Sequence, residues 1–356
     1  MRPVLVMILL ALAANSARAS ECRTVQLNPA PRIFNAPAWD PSGERILVVD
    51  IAAGRIDVYS LSGMRERSVM RPGPDVLDFS RPNSIEPTGT GYLLGDGANR
   101  FVLLDRNLRP AGAHDIASDR REGGEWRAAP FQWVPFDSGV VGYGFVHDGR
   151  QSKTGIFRIH WGPPLKVEFL REMPGNEGLQ PYLLGRGYLA RLGNRVYAYS
   201  FEPDYGLIEI DGARLRLLKG LPPGFGSVPQ LPPNQGPAST ASLYAAFARS
   251  KSVVKLVPAG GRLYILMRDI QTRGARRWLL AEYDPAQEKT TSLILLPTSA
   301  DHVEVIAGTS WLAIVEKGPF LPDERFTPGS TILVPMTTFS RLHGGTIENP
   351  LVLCKP

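Results

Sequence analysis

The chain has 356 residues and a formal net charge of +6, from 40 Lys and Arg against 34 Asp and Glu. No basic run is interleaved with aromatic residues, so nothing indicates a nucleic-acid partner. After the N-terminal segment, no stretch approaches the roughly 20 apolar residues that a membrane-spanning helix needs. We therefore expect no transmembrane segment in the mature protein.

The first 19 residues have the pattern of a secretion signal. Arg2 provides a basic start, residues 4–12 are apolar, and Ala17-Arg18-Ala19 matches the small-x-small pattern of a cleavage site. The sequence thus predicts a signal peptide over residues 1–19 and a single mature domain over residues 20–356. We expect the protein to be periplasmic or secreted.

Cys22 and Cys354 are the two cysteines of the chain, and they lie near its two ends. An exported protein meets an oxidising compartment, in which two such thiols can pair. We expect a Cys22–Cys354 disulfide in a fold whose ends meet, and the alternative is a pair of unrelated buried thiols.

A unit of strand, polar turn and strand recurs along the chain. Arg45–Asp50 and Arg55–Ser60 form the first example, and Gly91–Asp96 with residues 100–106 repeats it. The second strands of the units begin near residues 45, 91, 139, 196, 262 and 311. A period of about 50 residues suits a four-stranded blade. The sequence therefore predicts an all-β, six-bladed β-propeller with antiparallel blades.

The blade strands at the two ends of the chain are less regular. In the first unit we expect strands at residues 36–40 and 64–70 beside the two central ones. The sixth unit is one strand short, and residues 24–27 or residues 350–354 can supply it. Either choice brings the two cysteines together.

One long insertion separates the fourth and fifth units, over residues 220–250. Its first part is rich in proline, and residues 241–249 read as a short helix capped by Ser239 or Thr240. Long loops in compact domains are usually functional or disordered. We expect an ordered flap here.

The first two units resemble the NHL-type repeat. The residues that carry the resemblance are Ile46-Leu47-Val48-Val49-Asp50, Arg55-Ile56-Asp57-Val58-Tyr59 and Gly63, followed by Asp96-Gly97-Ala98-Asn99-Arg100. The resemblance covers about residues 36–110 and implies a six-bladed propeller. Such propellers include protein-binding and RNA-binding modules, sugar lactonases and amidating lyases, so the fold does not choose the function.

A metal-dependent enzyme is one hypothesis. Asp96, His147 and His302 lie in predicted turns or strand ends that face the channel, where Ca²⁺ or Zn²⁺ could be held. A lactonase-like site needs a glutamate in the first blade, and the corresponding residues 35–40 contain none. The alternative for the strand-end aspartates is that they accept backbone N–H bonds in their own turns.

A binding surface is the other hypothesis, and it is the one that the sequence favours. Arg, Glu and Trp side chains gather in the connection between the second and third units, and Trp and Arg are enriched at interface anchors. We expect a ligand-binding rim that needs no cofactor. Its predicted residues are Arg81, Asn83, Arg121, Glu125, Trp126, Arg127 and Asn176. The sequence thus predicts a module that binds a protein, peptide or glycan, with a metal-dependent hydrolase or lactonase at the channel mouth as the alternative.

Overall fold

The protein is described here from a computed structural model. The described residues are 22–31, 34–40, 44–70, 79, 81–97, 100–116, 127–147, 151–162, 165–173, 188–200, 206–212, 214–222, 224–225, 251–270, 276–320, 326–347 and 349–354. Within this part of the chain, no helix is long and apolar enough to cross a membrane.

The first three blades are antiparallel sheets whose four strands follow one another along the chain. Blade 1 comprises β2 (Phe34–Trp39), β3 (Arg45–Asp50), β4 (Arg55–Ser60) and β5 (Arg65–Met70). Blade 2 comprises β6 (Pro82–Pro87), β7 (Gly91–Asp96), β8 (Arg100–Asp105) and β9 (Pro110–Asp115). Blade 3 comprises β10 (Arg127–Phe136), β11 (Gly139–His147), β12 (Ser152–His160) and β13 (Lys166–Glu172).

The other three blades repeat this order, with additions from the ends of the chain. Blade 4 comprises β14 (Leu189–Leu192), β15 (Arg195–Tyr199), β16 (Leu207–Asp211) and β17 (Arg214–Leu218). Blade 5 comprises β18 (Ser252–Ala259), β19 (Arg262–Ile270), β20 (Arg276–Asp284) and β21 (Lys289–Leu295). Blade 6 comprises β22 (His302–Ala307), β23 (Trp311–Phe320), β24 (Phe326–Pro335) and β1 (Arg23–Val25), and a short helix α1 (Met336–Phe339) follows β24.

Packing between blades explains the hydrophobic pattern of each blade. The second and third strands lie between two neighbouring blades, so both of their faces are covered and they read as nearly continuous apolar runs. In β3, every residue after Arg45 is buried. The fourth strand is at the edge, and β5 is mostly exposed and polar. Charged side chains on such an edge protect it from pairing with another chain.

The core consists of layers between adjacent blades. In the described part of the chain, each pair of neighbouring blades encloses its own cluster of buried apolar side chains. The cluster between blades 6 and 1 includes Trp39, Val48 and Ala313. The Trp39 Nε1–H also donates to the carbonyl of Ile306, at 3.0 Å. The ring of six blades is therefore closed.

The two ends of the chain are joined beside this closure. β1 pairs antiparallel with β24 and is the outer strand of blade 6. β25 (Leu351–Val352) pairs in parallel with β21 and adds a fifth strand to blade 5. The predicted disulfide between Cys22 and Cys354 is present, with the Cα atoms 5.8 Å apart. Of the two closing strands that the sequence allows, the N-terminal one completes blade 6.

Several predicted boundaries differ from the observed ones. The sequence predicts the first strand of blade 1 at residues 36–40, whereas it is Phe34–Trp39 and has a register shift between Asn35 and Ala38. Of the expected flap, residues 226–250 lie outside the described residues. At its start, Phe225 is fully buried and its carbonyl accepts a hydrogen bond from the Tyr199 hydroxyl, at 3.1 Å.

Candidate functional site

The central channel is the feature common to all six blades. It is lined by the innermost strands β2, β6, β10, β14, β18 and β22, and neighbouring innermost strands contact one another around the ring. Each blade has the same topology, so these strands run in one direction along the channel. We call the end at which they begin the upper end, and the end at which they finish the lower end.

Aspartates at the ends of second strands pair with arginines in the third strands at the upper end. The Asp50 carboxylate lies 3.5 Å from the Arg55 guanidinium and accepts the N–H of Ala53 in its own turn, at 3.2 Å. Asp269 pairs with Arg277 at 2.6 Å. These carboxylates connect strands of their own blades, and Asp50 also accepts a backbone N–H in its own turn, as the alternative above expects.

The three predicted metal ligands lie at upper strand ends in three different blades. Asp96 ends β7, where its carboxylate accepts the N–H of Arg81 at 2.5 Å and lies 3.5 Å from Arg100. His147 ends β11, with its Nδ1 3.2 Å from the Ser152 hydroxyl. His302 begins β22. Among the described residues, no three His, Cys, Asp or Glu side chains form a group that could hold a metal ion.

Part of the predicted rim also lies at the upper end. Arg81 is exposed, and its backbone N–H donates to the Asp96 carboxylate. The Asn83 side chain donates to the carbonyl of Gly97 and accepts from the Ser84 hydroxyl, at 2.8 Å. Arg127 begins β10, although its side chain is not described. The other predicted rim residues, Arg121, Glu125, Trp126 and Asn176, lie outside the described residues.

The structure adds buried cations that the sequence analysis missed. Arg268 is 3% exposed, and its Nη2–H donates to the Ser252 hydroxyl at 3.1 Å. Lys317 is 4% exposed, lies opposite His302 in the strand register, and pairs with Glu304 at 2.6 Å. These side chains therefore stand at the upper ends of blades 5 and 6. The sequence shows Arg268 after the apolar residues 263–267 and Lys317 after residues 311–316, but this pattern does not show that either side chain is buried.

Three cations act on His302 in this corner, and two of them, Arg276 and Lys317, also have a carboxylate partner. Burial, followed by the charges of Arg268, Lys317 and Arg276, lowers the pKa of His302 from 6.5 to about 3. Arg276 itself pairs with Asp301. Burial also lowers the pKa of Arg268 to about 10, so it stays protonated at neutral pH. A neutral imidazole among cations is suited to contact an anionic group. We call Arg268, Arg276, His302 and Lys317 the cationic corner.

The lowered pKa of His302 predicts a loss of stability in acid. The unfolded chain binds a proton at this histidine near pH 6.5, whereas the folded protein does so near pH 3. This titration therefore does not lower the free energy of unfolding above pH 6.5. Between pH 6.5 and about pH 3, the free energy of unfolding falls by about 1.4 kcal/mol for each pH unit. In urea denaturation from pH 7.5 to 4.5, the wild type should lose stability relative to His302→Gln. A difference between the two proteins that does not change with pH would contradict this.

Comparisons with known proteins agree with the fold. No protein-family model matches the chain, and no curated protein matches it. A solved structure of a member of the DUF4221 family from Bacteroides vulgatus is similar, with a TM-score of 0.57 at 9% identity over 89% of this chain and 96% of that chain. This likeness and the six closed blades define the class of protein as a six-bladed β-propeller.

Two further solved structures are also similar. A luciferin-regenerating enzyme has a TM-score of 0.45 at 11% identity, over 93% of this chain and 100% of that chain. A protein whose assignment as a gluconolactonase is provisional has a TM-score of 0.46 at 13% identity, over 89% of this chain and 94% of that chain. At this level of similarity neither structure says what this chain does.

Proposed function

We propose that the protein is an exported binding module that recognises a protein, peptide or glycan through the upper rim of its channel. The observation that supports this proposal most directly is the cationic corner, in which the charges of Arg268, Lys317 and Arg276 act on a neutral His302. The ligand would present an anionic group, such as a carboxylate, to this corner. Cations near a low-dielectric wall attract such a group more strongly than exposed ones do.

The expected export is consistent with two features. Residues 1–19 have the pattern of a signal peptide, and the single domain of residues 20–356 would be closed by a disulfide, which persists in oxidising compartments. N-terminal sequencing of the processed protein from a periplasmic or culture fraction tests this, with Ser20 as the expected first residue.

The metal-dependent hydrolase or lactonase is the weaker alternative. A lactonase-like metal site needs oxygen or imidazole ligands that converge on a cation. The side chains whose charges act on His302 are two arginines and a lysine, and such charges repel a cation. The three cations that act on His302 thus support a binding role for an anionic group over a metal centre at this imidazole.

Binding to an array of peptides and glycans of different charge tests the proposed function. We expect the wild type to select acidic members and Arg268→Met to bind them about tenfold more weakly, since the positive charge behind the upper rim is lost. Arg214→Met is the matched control, because Arg214 is exposed at the start of the outer strand β17. Thermal melting of each variant reports whether it is folded. A preference for neutral or basic members, or equal binding by a folded Arg268→Met protein, would contradict the proposal.

A further inference from the structure

The lower end of the channel contains a cavity of about 330 Å³, which we call the lower cavity. Its walls come from residues of all six innermost strands, and in four of these strands the lining residues lie at or next to the strand end. Known small-molecule sites have volumes of about 300–1,000 Å³ and are mostly apolar, with a few polar groups that orient the ligand. The lower cavity has this size and composition.

The apolar wall of the lower cavity is rigid. Trp39 is 4% exposed, and its hydrogen bond to Ile306 joins blades 1 and 6 at the wall. Gly308 lies directly against the Trp39 ring, where a Cβ atom would be only 3.0 Å from the indole carbon Cγ. Proline residues contribute to the lining from four blades, and they offer no N–H group to a ligand. They are Pro37, Pro87, Pro135 and Pro258.

Lys255 brings a positive charge into this apolar cavity. A register shift between Val253 and Lys255 interrupts the pairing of β18 with β19, and such bulges redirect side chains. Lys255 is half-buried and lines the lower cavity. Among the described residues, its ammonium group has no hydrogen-bond or ion-pair partner. All three of its N–H donors are therefore available to a ligand.

Arg191 provides a second cation at the same cavity, and it is held in place by backbone groups. Its Nε–H donates to the carbonyl of Gly193 at 3.0 Å, and its Nη1–H donates to the carbonyl of Pro135 at 3.2 Å. These bonds use two of its five N–H donors. No carboxylate of the described residues forms an ion pair with it. Glu86 also lines the cavity, so the two cations leave an excess of positive charge.

We propose that the lower cavity binds a small organic carboxylate with a compact apolar body. The apolar body would lie against Trp39 and the prolines, and the carboxylate would accept hydrogen bonds from Lys255 and Arg191. A cation that is half-buried without a counterion gains from pairing with an anion that is also partly desolvated. This site is at the opposite end of the channel from the cationic corner and stands independently of the function proposed for the rim.

Calorimetry with three probes of similar shape and different charge tests the inference. We expect 2-naphthoate to bind about tenfold more tightly than neutral 2-naphthalenemethanol, and 2-naphthylmethylammonium to bind most weakly. Lys255→Met and Arg191→Met should each remove most of the preference for the anion while the neutral probe binds as before. The controls are Lys166→Met and Arg214→Met, which replace exposed cations on the outer strands β13 and β17.

Two results would overturn the inference. One is that the wild type binds none of the three probes, or binds the neutral probe as tightly as 2-naphthoate. The other is that folded Lys255→Met and Arg191→Met proteins keep the full preference for the anion. Because two separate variants are used, a folding defect in one of them leaves the test intact.

Discussion

Replacing both Cys22 and Cys354 by serine is expected to lower the free energy of unfolding by about 5 kcal/mol. The disulfide joins residues that are 332 positions apart, so it restricts nearly the whole unfolded chain. The strand that it secures is also weak, because β1 has three residues and two of them are exposed. Without the bond, this strand keeps its pairing with β24, and the residues after it keep the burial of Leu27 and the backbone hydrogen bonds of Asn28 to Gly63 and Arg65.

Urea denaturation with and without reductant measures this effect. The wild type in reductant and the double serine variant should have the same, lower free energy of unfolding, and reductant should not change the variant further. Equal stability of the oxidised wild type and the double serine variant would contradict the role of the disulfide in closing the ring.

Replacing Asp57 by alanine is expected to cost about 3 kcal/mol of stability, since removing this buried carboxylate takes the ion-pair partner from Arg65 and leaves Arg55 with Asp50 alone. Asp57 is fully buried, and its carboxylate lies 3.0 Å from Arg55 and 3.5 Å from Arg65. It also accepts a hydrogen bond from the Ser68 hydroxyl at 2.5 Å. This one carboxylate therefore connects the third and fourth strands of blade 1.

Glu66→Ala is the matched control for Asp57→Ala. Glu66 pairs with Arg45 at 2.7 Å in the same blade, but both side chains are more than 40% exposed. Exposed pairs of this kind contribute about 0–1 kcal/mol. In chemical denaturation, the free energy of unfolding of Asp57→Ala should thus be well below that of Glu66→Ala. Similar losses of stability in the two variants would contradict the importance of the buried carboxylate.

The blades could be predicted from the sequence because their central strands are covered on both faces. The predicted starts of the second strands, near residues 45, 91, 139, 196, 262 and 311, agree within one residue with the observed starts. A strand packed between two blades must be apolar along its length, and this makes it visible in the sequence. The six-bladed, antiparallel propeller follows from that pattern, whereas the likeness of its repeat to the NHL type stays a prediction.

The cationic corner could not be predicted because it depends on contacts between distant parts of the chain. The ligands predicted from the sequence are an acidic residue and histidines at turns and strand ends, because these residue types bind metals. Arg268 instead lies within β19, and its position beside Ser252 is set by the register of β18 and β19. Lys317 reaches His302 through the register of β22 and β23. Neither register can be read from composition or local pattern alone.

The lower cavity could not be predicted from the sequence for the same reason. Lys255 looks like an ordinary polar residue in an edge strand until the closed ring makes β18 an innermost strand. Its place in the channel then depends on the shift in register after Val253. Sequence patterns identified the blades, and the ring geometry identified which of their polar residues face the channel.

The measurement that tests the central claim most directly is an NMR titration of the His302 imidazole, assigned by comparison with His302→Gln. If His302 is buried beside the three cations, the resonance should stay constant from about pH 8 to pH 5, because burial first and the neighbouring cations second lower the pKa to about 3. A titration midpoint near the ordinary value of 6.5 would contradict the cationic corner and the binding function proposed from it.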